Sequence, residues 1–456
     1  MGKSNISRRE FIKRSLSLAA GTLLLPSIFS KSMATAATVT GDAEPSNSGL
    51  AGARAKSVIF VFLNGGPAHL DTFDPKPNST REFFGNYKSP LETTTQGLLV
   101  GEKLPLLAGI ADRYSIVRSM SHNSNAHEIG QYVMFTGDMS MGSIVYPSFG
   151  ATISYMLRDS YKGVLPPFIT IPQAATRFNE SGFLSAEYKS FSTGGAPESS
   201  LYEVEGIVSK GVGVDDLAAK RDVLSQITAL TDDNIERCDE VDRFKRFQDD
   251  NYKLILGEER EVFDLNKESK ECRSRYGMNR VGQSCLAARR LVESGTPVVV
   301  VNAAGWDTHK EHFKRMDTKL PELDKAVSAL ILDLEERGRL DETIVLLGGE
   351  FGRTPRVDYA PPWNGGRGHF GSAFSYLVAG GGFKGGEVLG KTNETGESVV
   401  ERVVYPNDLW GTVYHLMGID PNGTLPHAQA GRVPILPPLP DSREPSLGIL
   451  TELIRG

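Results

Sequence analysis

Cysteine is scarce in this chain, with 3 in 456 residues, and the scarcity excludes a disulfide framework as the source of its stability. Cys238, Cys272 and Cys285 share one stretch of mixed charge without a C-x-x-C pair, so a thiolate metal site is excluded as well. Either Cys272 pairs with Cys285 in an oxidising compartment, or Cys285 is buried in a helix, as the run Gln283-Ser284-Cys285-Leu286-Ala287-Ala288-Arg289-Arg290-Leu291 reads. No apolar run suits a bilayer span: the stretch from Leu16 to Phe29 is too short and is broken by Gly21 and Pro26, so no permanent membrane span is expected. No repeat at a period of about 20–50 residues is visible. A nucleotide fingerprint is missing too, since Gly380-Gly381-Gly382 lacks the strand-loop-helix frame and reads as a tight turn. Excess positive charge is also lacking. The chain carries −6, and its first 36 residues hold six basic groups against Glu10, which leaves −11 for the remainder and excludes nucleic acid as an expected partner.

The amino terminus is more informative. Ser7-Arg8-Arg9-Glu10-Phe11-Ile12-Lys13 sets two adjacent arginines before apolar residues and a lysine, and the moderately apolar run follows. Ala34-Thr35-Ala36 then offers the small-x-small pattern that signal peptidase accepts. Residues 1–36 are therefore expected to be a twin-arginine export signal, with the mature chain beginning near Ala37 in the periplasm or outside the cell. The partner implied is the twin-arginine export machinery, which carries proteins already folded. Residues 37–55, small and polar without apolar period, read as a disordered leader.

The remainder, 56–456, reads as one large α/β domain. Ser57-Val58-Ile59-Phe60-Val61-Phe62-Leu63 is apolar without alternation, the pattern of a strand covered on both faces. Similar runs lie at 167–171, 297–301, 343–347 and 374–379, with helical stretches between several of them, which predicts a mostly parallel central sheet with helices on both faces. The spacing of Leu323, Ala326, Leu330 and Leu334 predicts a helix over 323–337. Between about 201 and 293 the chain is strongly charged, and Asp249-Asp250 and Glu258-Glu259-Arg260-Glu261 read as solvated faces of a helical excursion.

In an open α/β sheet the site lies beyond the carboxyl ends of the strands. Polar residues collect there. Asn64, His69, Asp71 and Asp74 follow the first buried run; Asp307, His309 and His312 follow the third; Glu350 and Arg353 follow the fourth; and His369 precedes the fifth. Imidazoles and carboxylates gathered this way suit a divalent cation with mixed nitrogen and oxygen ligands. Asp307 has a second reading, as the acceptor of an Asx-turn in Trp306-Asp307-Thr308-His309, although its place directly after the valine-rich strand favours a ligand.

Several long motifs resemble one family. Asn64-Gly65-Gly66-Pro67-Ala68-His69-Leu70-Asp71-Thr72-Phe73-Asp74, Gly282 to Leu291, Trp306-Asp307-Thr308-His309, Glu350-Phe351-Gly352-Arg353-Thr354-Pro355 and Ala379 to Gly386 look, in this order, like the domain of unknown function 1501 family. That family resembles the alkaline phosphatase and sulfatase superfamily, and the resemblance implies an alkaline phosphatase/sulfatase-like fold. Sulfatases carry Thr-Gly nine and ten residues after their nucleophilic cysteine; Thr136-Gly137 stands in the same place, and His127 occupies the nucleophile position, which rules out a formylglycine enzyme. Asp408 to Ile419 is similar to a late helix of sulfatases. Two departures degrade one of the two superfamily metal sites: Asn64 stands where an aspartate is usual, and Glu350-Phe351 where Asp-His is usual.

The resemblance and the strand-end residues together imply an exported metal-dependent hydrolase of phosphate or sulfate esters. Asp307, His309 and His369 would hold zinc, manganese or calcium, and Glu350 would be a ligand or general base. Arg353 would grip the anionic oxygens of a small ester substrate. His127, placed at a helix amino terminus where a cation is disfavoured, is expected to be neutral and to attack the ester or bind the metal. The alternative is a catalytically inactive exported binding or assembly protein on the same fold.

Overall fold

A computed structural model of the protein describes residues 54–175, 180–208, 218–219, 221–223, 252–440 and 446–456. The expected export signal, most of the leader, Cys238 and Asp249-Asp250 lie outside the described residues.

Among the described residues, eight strands form the central sheet. They are Ser57–Asn64 (β1), Tyr114–Met120 (β2), Phe168–Ile171 (β3), Phe191–Ser192 (β4), Val298–Ala304 (β5), Thr343–Gly348 (β6), Phe374–Ala379 (β7) and Val388–Leu389 (β8). Their order across the sheet is β8-β2-β7-β6-β1-β5-β3-β4. β1 sits in the interior with parallel neighbours on both sides, Val58 lying in register with Val298 of β5 and Ile344 of β6. β3 continues the parallel run beside β5, and β4 beside β3. The exception is β7, which runs antiparallel to both β6 and β2. All five strands expected from the sequence are present. β2 was not among them, because Tyr-Ser-Ile-Val-Arg-Ser-Met interrupts its apolar residues with Arg118 and two serines.

The alternation of β1 side chains explains why it is apolar at every residue from Val58 to Leu63. Ile59, Val61 and Leu63 enter one core, and Val58, Phe60 and Phe62 enter the other. The first core is closed by Lys270–Tyr276 (α3), Arg280–Glu293 (α4) and His312–Glu336 (α5), through Tyr276, Leu286 and Leu330 among others. The second is closed by His127–Thr136 (α1), Phe149–Leu157 (α2) and Pro406–Leu416 (α6). There Trp410 stacks on Phe149 with ring centroids 4.0 Å apart, and its indole N–H donates to the Met134 carbonyl at 2.6 Å.

The α5 helix begins eleven residues earlier than the leucine spacing predicts and runs through Pro321. His312, Phe313, Met316 and Leu320 extend its buried face back to the strand-end loop, so packing overrides the one backbone bond that proline removes. Within the stretch 201–293, Glu258, Glu259 and Glu261 are exposed as expected. The α4 helix, by contrast, packs on the sheet, with Cys285 and Leu286 fully buried. Cys272 and Cys285 are both free thiols, which resolves their alternatives in favour of the buried helix position.

Candidate metal centre

Four chain segments meet at the carboxyl ends of β1, β5 and β6. The turn after β1 places Gly65 at a φ of +117°, and a Cβ there would lie 2.2 Å from the backbone nitrogen of Asp307, so only glycine lets the loop after β5 come this close. That loop is tied to β1 by Trp306 N–H donating to the Asn64 carbonyl at 3.1 Å. After β6, Gly352–Arg353 pairs antiparallel with His369–Phe370, which sets His369 directly opposite Arg353. The fourth segment is the amino end of α1, whose first residue is His127 and whose last turn closes on Gly137 in the left-handed conformation.

These segments bring all six candidate residues into one connected group. His309 Nε2 lies 2.9 Å from His369 Nε2 and 3.1 Å from Asp307 Oδ1. His369 Nε2 is 3.2 Å from the same carboxylate oxygen, and His127 Nε2 is 3.4 Å from Asp307 Oδ2. Below them, His127 Nδ1 lies 2.6 Å from Glu350 Oε1, and Arg353 Nη2 donates to Asp307 Oδ1 at 2.6 Å. Glu350 and Arg353 are fully buried, whereas Asp307 and His309 keep 44% and 39% of their side chains exposed. The centre thus has a dry floor and an open mouth.

Hydrogen bonding fixes where the lone pairs point. A carbonyl only accepts, so the contact of His369 Nδ1 with the Asn125 carbonyl at 2.7 Å puts the proton on Nδ1 and leaves Nε2 bare toward Asp307. His127 is held the same way by Glu350, and its buried Nε2 has no hydrogen-bond partner. Donor atoms of His127, Asp307 and His369 all lie within 4.8 Å of one another. Acceptors facing one another are repulsive unless a proton or a cation stands between them, and a cation can serve several at once. The separations among His309, His369 and Asp307 also approach the edge of about 3.3 Å that ligands at roughly 2.0–2.1 Å span around a tetrahedral ion. The residues therefore fit a divalent cation, with His127 as a donor beside the three expected ligands.

The electrostatics follow. Burial pushes the pKa of Asp307 up, but the Arg353 hydrogen bond and charge outweigh it and hold the carboxyl at about 2. Burial lowers the pKa of His309, with Asp307 opposing. For His127 the direction differs from that expected of a helix terminus: its hydrogen bond to Glu350 raises the pKa against the effect of burial.

Glu350 and Arg353 make contacts that the sequence did not suggest. Both Glu350 oxygens accept from Gly65 N–H, at 3.0 and 3.1 Å, so the carboxylate anchors the β1 turn and orients His127. Arg353 donates to the carbonyls of Gly65, Gly66 and Arg367 as well as to Asp307. With its guanidinium engaged this way and fully buried, it braces Asp307. Asn64 turns its amide oxygen to Gln131 Nε2 at 2.9 Å.

His69, Asp71, Asp74 and His312 stand outside the group. His69 Nε2 bonds the Gly396 carbonyl, Asp74 pairs with Lys76 and accepts from Thr392, and Asp71 pairs with His312 and Arg367. Sequence reasoning missed three contributors: the Asn125 carbonyl, His122, whose Nε2 meets the Glu350 carbonyl at 2.5 Å, and Phe351, whose ring stacks on His369 at 4.7 Å. The polar run Ser121 to Asn125 would have signalled the first two had β2 been recognised before it.

The chain belongs to the family described as "Protein of unknown function (DUF1501)", whose model matches residues 55–435. A comparison with curated proteins finds no match. Among solved structures, the chain is similar to the lipoteichoic acid synthase LtaP from Listeria monocytogenes, with TM-score 0.36 and 10% identity over 87% of this chain and 78% of that one. The PsFucS1 sulfatase from Pseudoalteromonas sp. aligns with TM-score 0.33 and 12% identity over 80% and 68% of the two chains. The C-terminal periplasmic domain of EcEptC from Escherichia coli, in complex with Zn, gives TM-score 0.34 and 9% identity over 84% and 93%.

Proposed function

We propose that the centre binds one divalent cation, zinc before manganese or calcium, and hydrolyses a small phosphate or sulfate ester. The observation that carries the reading is the convergence of ligand atoms: His127 Nε2, His309 Nε2 and His369 Nε2 lie 3.4, 3.1 and 3.2 Å from the Asp307 carboxylate, and the buried His127 Nε2 has no hydrogen-bond partner. Three imidazoles and one carboxylate suit zinc better than an oxygen-seeking cation such as calcium. A bound cation supplies Lewis acidity toward a phosphoryl or sulfuryl oxygen.

The chain's own residues supply the rest. Glu350 holds the Nδ1 proton of His127 and so keeps Nε2 aimed at the centre, while Asn125 does the same for His369. Arg353 fixes the Asp307 carboxylate and keeps it ionised. Phe351 packs beside the rings of both His127 and His369, limiting water on the inner side. The exposed edges of Asp307 and His309 leave the opposite side open to an ester.

An inactive binding protein is the second reading, favoured by Arg353, whose buried donors face the chain's own carbonyls and Asp307. Metal analysis of purified protein, followed by turnover of 4-nitrophenyl phosphate and 4-nitrophenyl sulfate with and without added zinc, tests the proposal. Stoichiometric metal with zinc-dependent release of nitrophenol is expected; a stable protein that retains no metal and shows no turnover rejects it. We also propose export through the twin-arginine machinery, with folding before export. Among the described residues no helix is long and apolar enough to cross a membrane.

A further inference from the structure

Asp71, His312 and Thr308 form a buried chain that the proposed chemistry does not use. Asp71 Oδ2 lies 2.6 Å from His312 Nε2, and His312 Nδ1 lies 2.6 Å from Thr308 Oγ1. All three residues are buried, with 1% exposure each. A carboxylate accepts, so Nε2 of His312 carries the proton and its Nδ1 takes the hydroxyl hydrogen of Thr308. Burial lowers the pKa of His312 and supports that neutral form.

The other Asp71 oxygen receives Arg367 Nη2 at 3.0 Å. Arg367 is itself fixed, donating to the carbonyls of Phe83, Thr354 and Pro355, and its backbone N–H reaches the Thr308 carbonyl at 3.3 Å. One carboxylate therefore grips two segments at once. Thr308 stands between Asp307 and His309, and Arg367 stands two residues before His369.

We propose that Asp71 is a positioning residue that sets the spacing between the loop bearing Asp307 and His309 and the strand bearing His369, acting through His312 and Thr308 on one side and Arg367 on the other. Its effect on metal affinity rests on the metal-centre reading, whereas its effect on spacing does not. Thr308→Val keeps the shape of the side chain and removes only the hydroxyl, and Thr308→Ser restores it. Asp71→Asn weakens the same chain from its other end.

The test compares metal-free crystal structures of the parent and the three variants, together with zinc affinity by calorimetry and thermal unfolding. In Thr308→Val and Asp71→Asn the 2.9 Å contact of His309 with His369 is expected to be lost. Zinc affinity should fall tenfold or more, within the roughly 10–100-fold range of outer-shell partners. Thr308→Ser should return both readings to the parental values, which a loss of stability alone would not predict. An unmoved His309 in Thr308→Val, or a serine variant as displaced as the valine one, overturns the proposal. If the parent binds no zinc, the metal reading fails, and the crystallographic comparison still decides the positioning role.

Discussion

Glu350 Oε1 and His127 Nδ1 are 2.6 Å apart although 223 residues separate them in the chain, and the same carboxylate holds the Gly65 N–H with both oxygens. This contact does three things together: it fixes the β1 turn, chooses the imidazole nitrogen that faces Asp307, and makes His127 more basic. Glu350→Gln separates them. The amide oxygen can still accept from Gly65, so folding should persist, but the charge that raises His127 is gone. The His127 ring proton, followed by NMR, should titrate at lower pH than in the parent, and zinc affinity should fall by about 10–100-fold. Unchanged titration and affinity would show that Glu350 serves the fold alone.

A buried charge cluster under α4 gives a prediction about acid. Glu268 lies 2.6 Å from Arg290 and 3.0 Å from Arg289, whose guanidinium is 1% exposed. Burial pushes the Glu268 pKa up, but the two arginines outweigh it and bring it to about 2, against an ordinary 4.5. A depressed acid binds fewer protons folded than unfolded, so its stabilisation is complete above pH 4.5 and is lost as pH falls through about 2. Glu268→Gln should cost stability at neutral pH, by less than the roughly 3–5 kcal/mol of a fully buried pair because the amide still accepts from one arginine. The gap in urea midpoint between parent and variant should close between pH 4.5 and 2. A gap that stays constant over that range removes Glu268 as the titrating group.

What the sequence made legible depended on locality. β1 could be read because Val58 to Leu63 are all apolar, and His127 because Thr136-Gly137 resembles the Thr-Gly that follows the sulfatase nucleophile at nine and ten residues. Asp307, His309, Glu350 and Arg353 could be placed because they follow strand ends, and His369 because it precedes a strand. Their partners were another matter. Nothing near Arg353 in the chain reveals that the Gly65 and Gly66 carbonyls will enclose it, and His312 and Asp71 follow strands just as Asp307 does yet turn away from the centre into their own pair. A strand end tells which edge of the sheet a residue occupies, not which way its side chain faces. The direction of the His127 shift failed for the same reason, since the helix terminus is local and Glu350 is not.

Export rests on the sequence alone and is tested apart from the site. Replacing Arg8 and Arg9 together with lysine keeps the charge and removes the pair that the twin-arginine receptor reads. The precursor should accumulate in the cytoplasm with its first 36 residues uncleaved, as fractionation and mass spectrometry would show. Export at the parental level, blocked instead by inhibiting the general secretion pathway, would assign the signal to that route.

The ligand and nucleophile roles of His127 separate in one pair of variants. Its Nε2 stands 3.4 Å from Asp307 Oδ2 and within 4.8 Å of the His369 donor, which is the arrangement of a ligand; a nucleophile needs that lone pair turned toward the open mouth, where Asp307 and His309 are exposed. His127→Ala should therefore lower zinc affinity and ester turnover together. Affinity in the parent should also climb with pH until it passes the raised pKa of His127, above the ordinary 6.5, because the cation must displace a proton that Glu350 helps to hold. In His127→Ala that part of the pH dependence should disappear. His127→Gln keeps polarity without an imidazole lone pair and should behave as the alanine variant does. Metal content intact with turnover abolished would make His127 the attacking group. Parental hydrolysis by the glutamine variant would leave it neither role, and the site would then reduce to Asp307, His309 and His369, the three protein ligands of a catalytic zinc with its fourth position open.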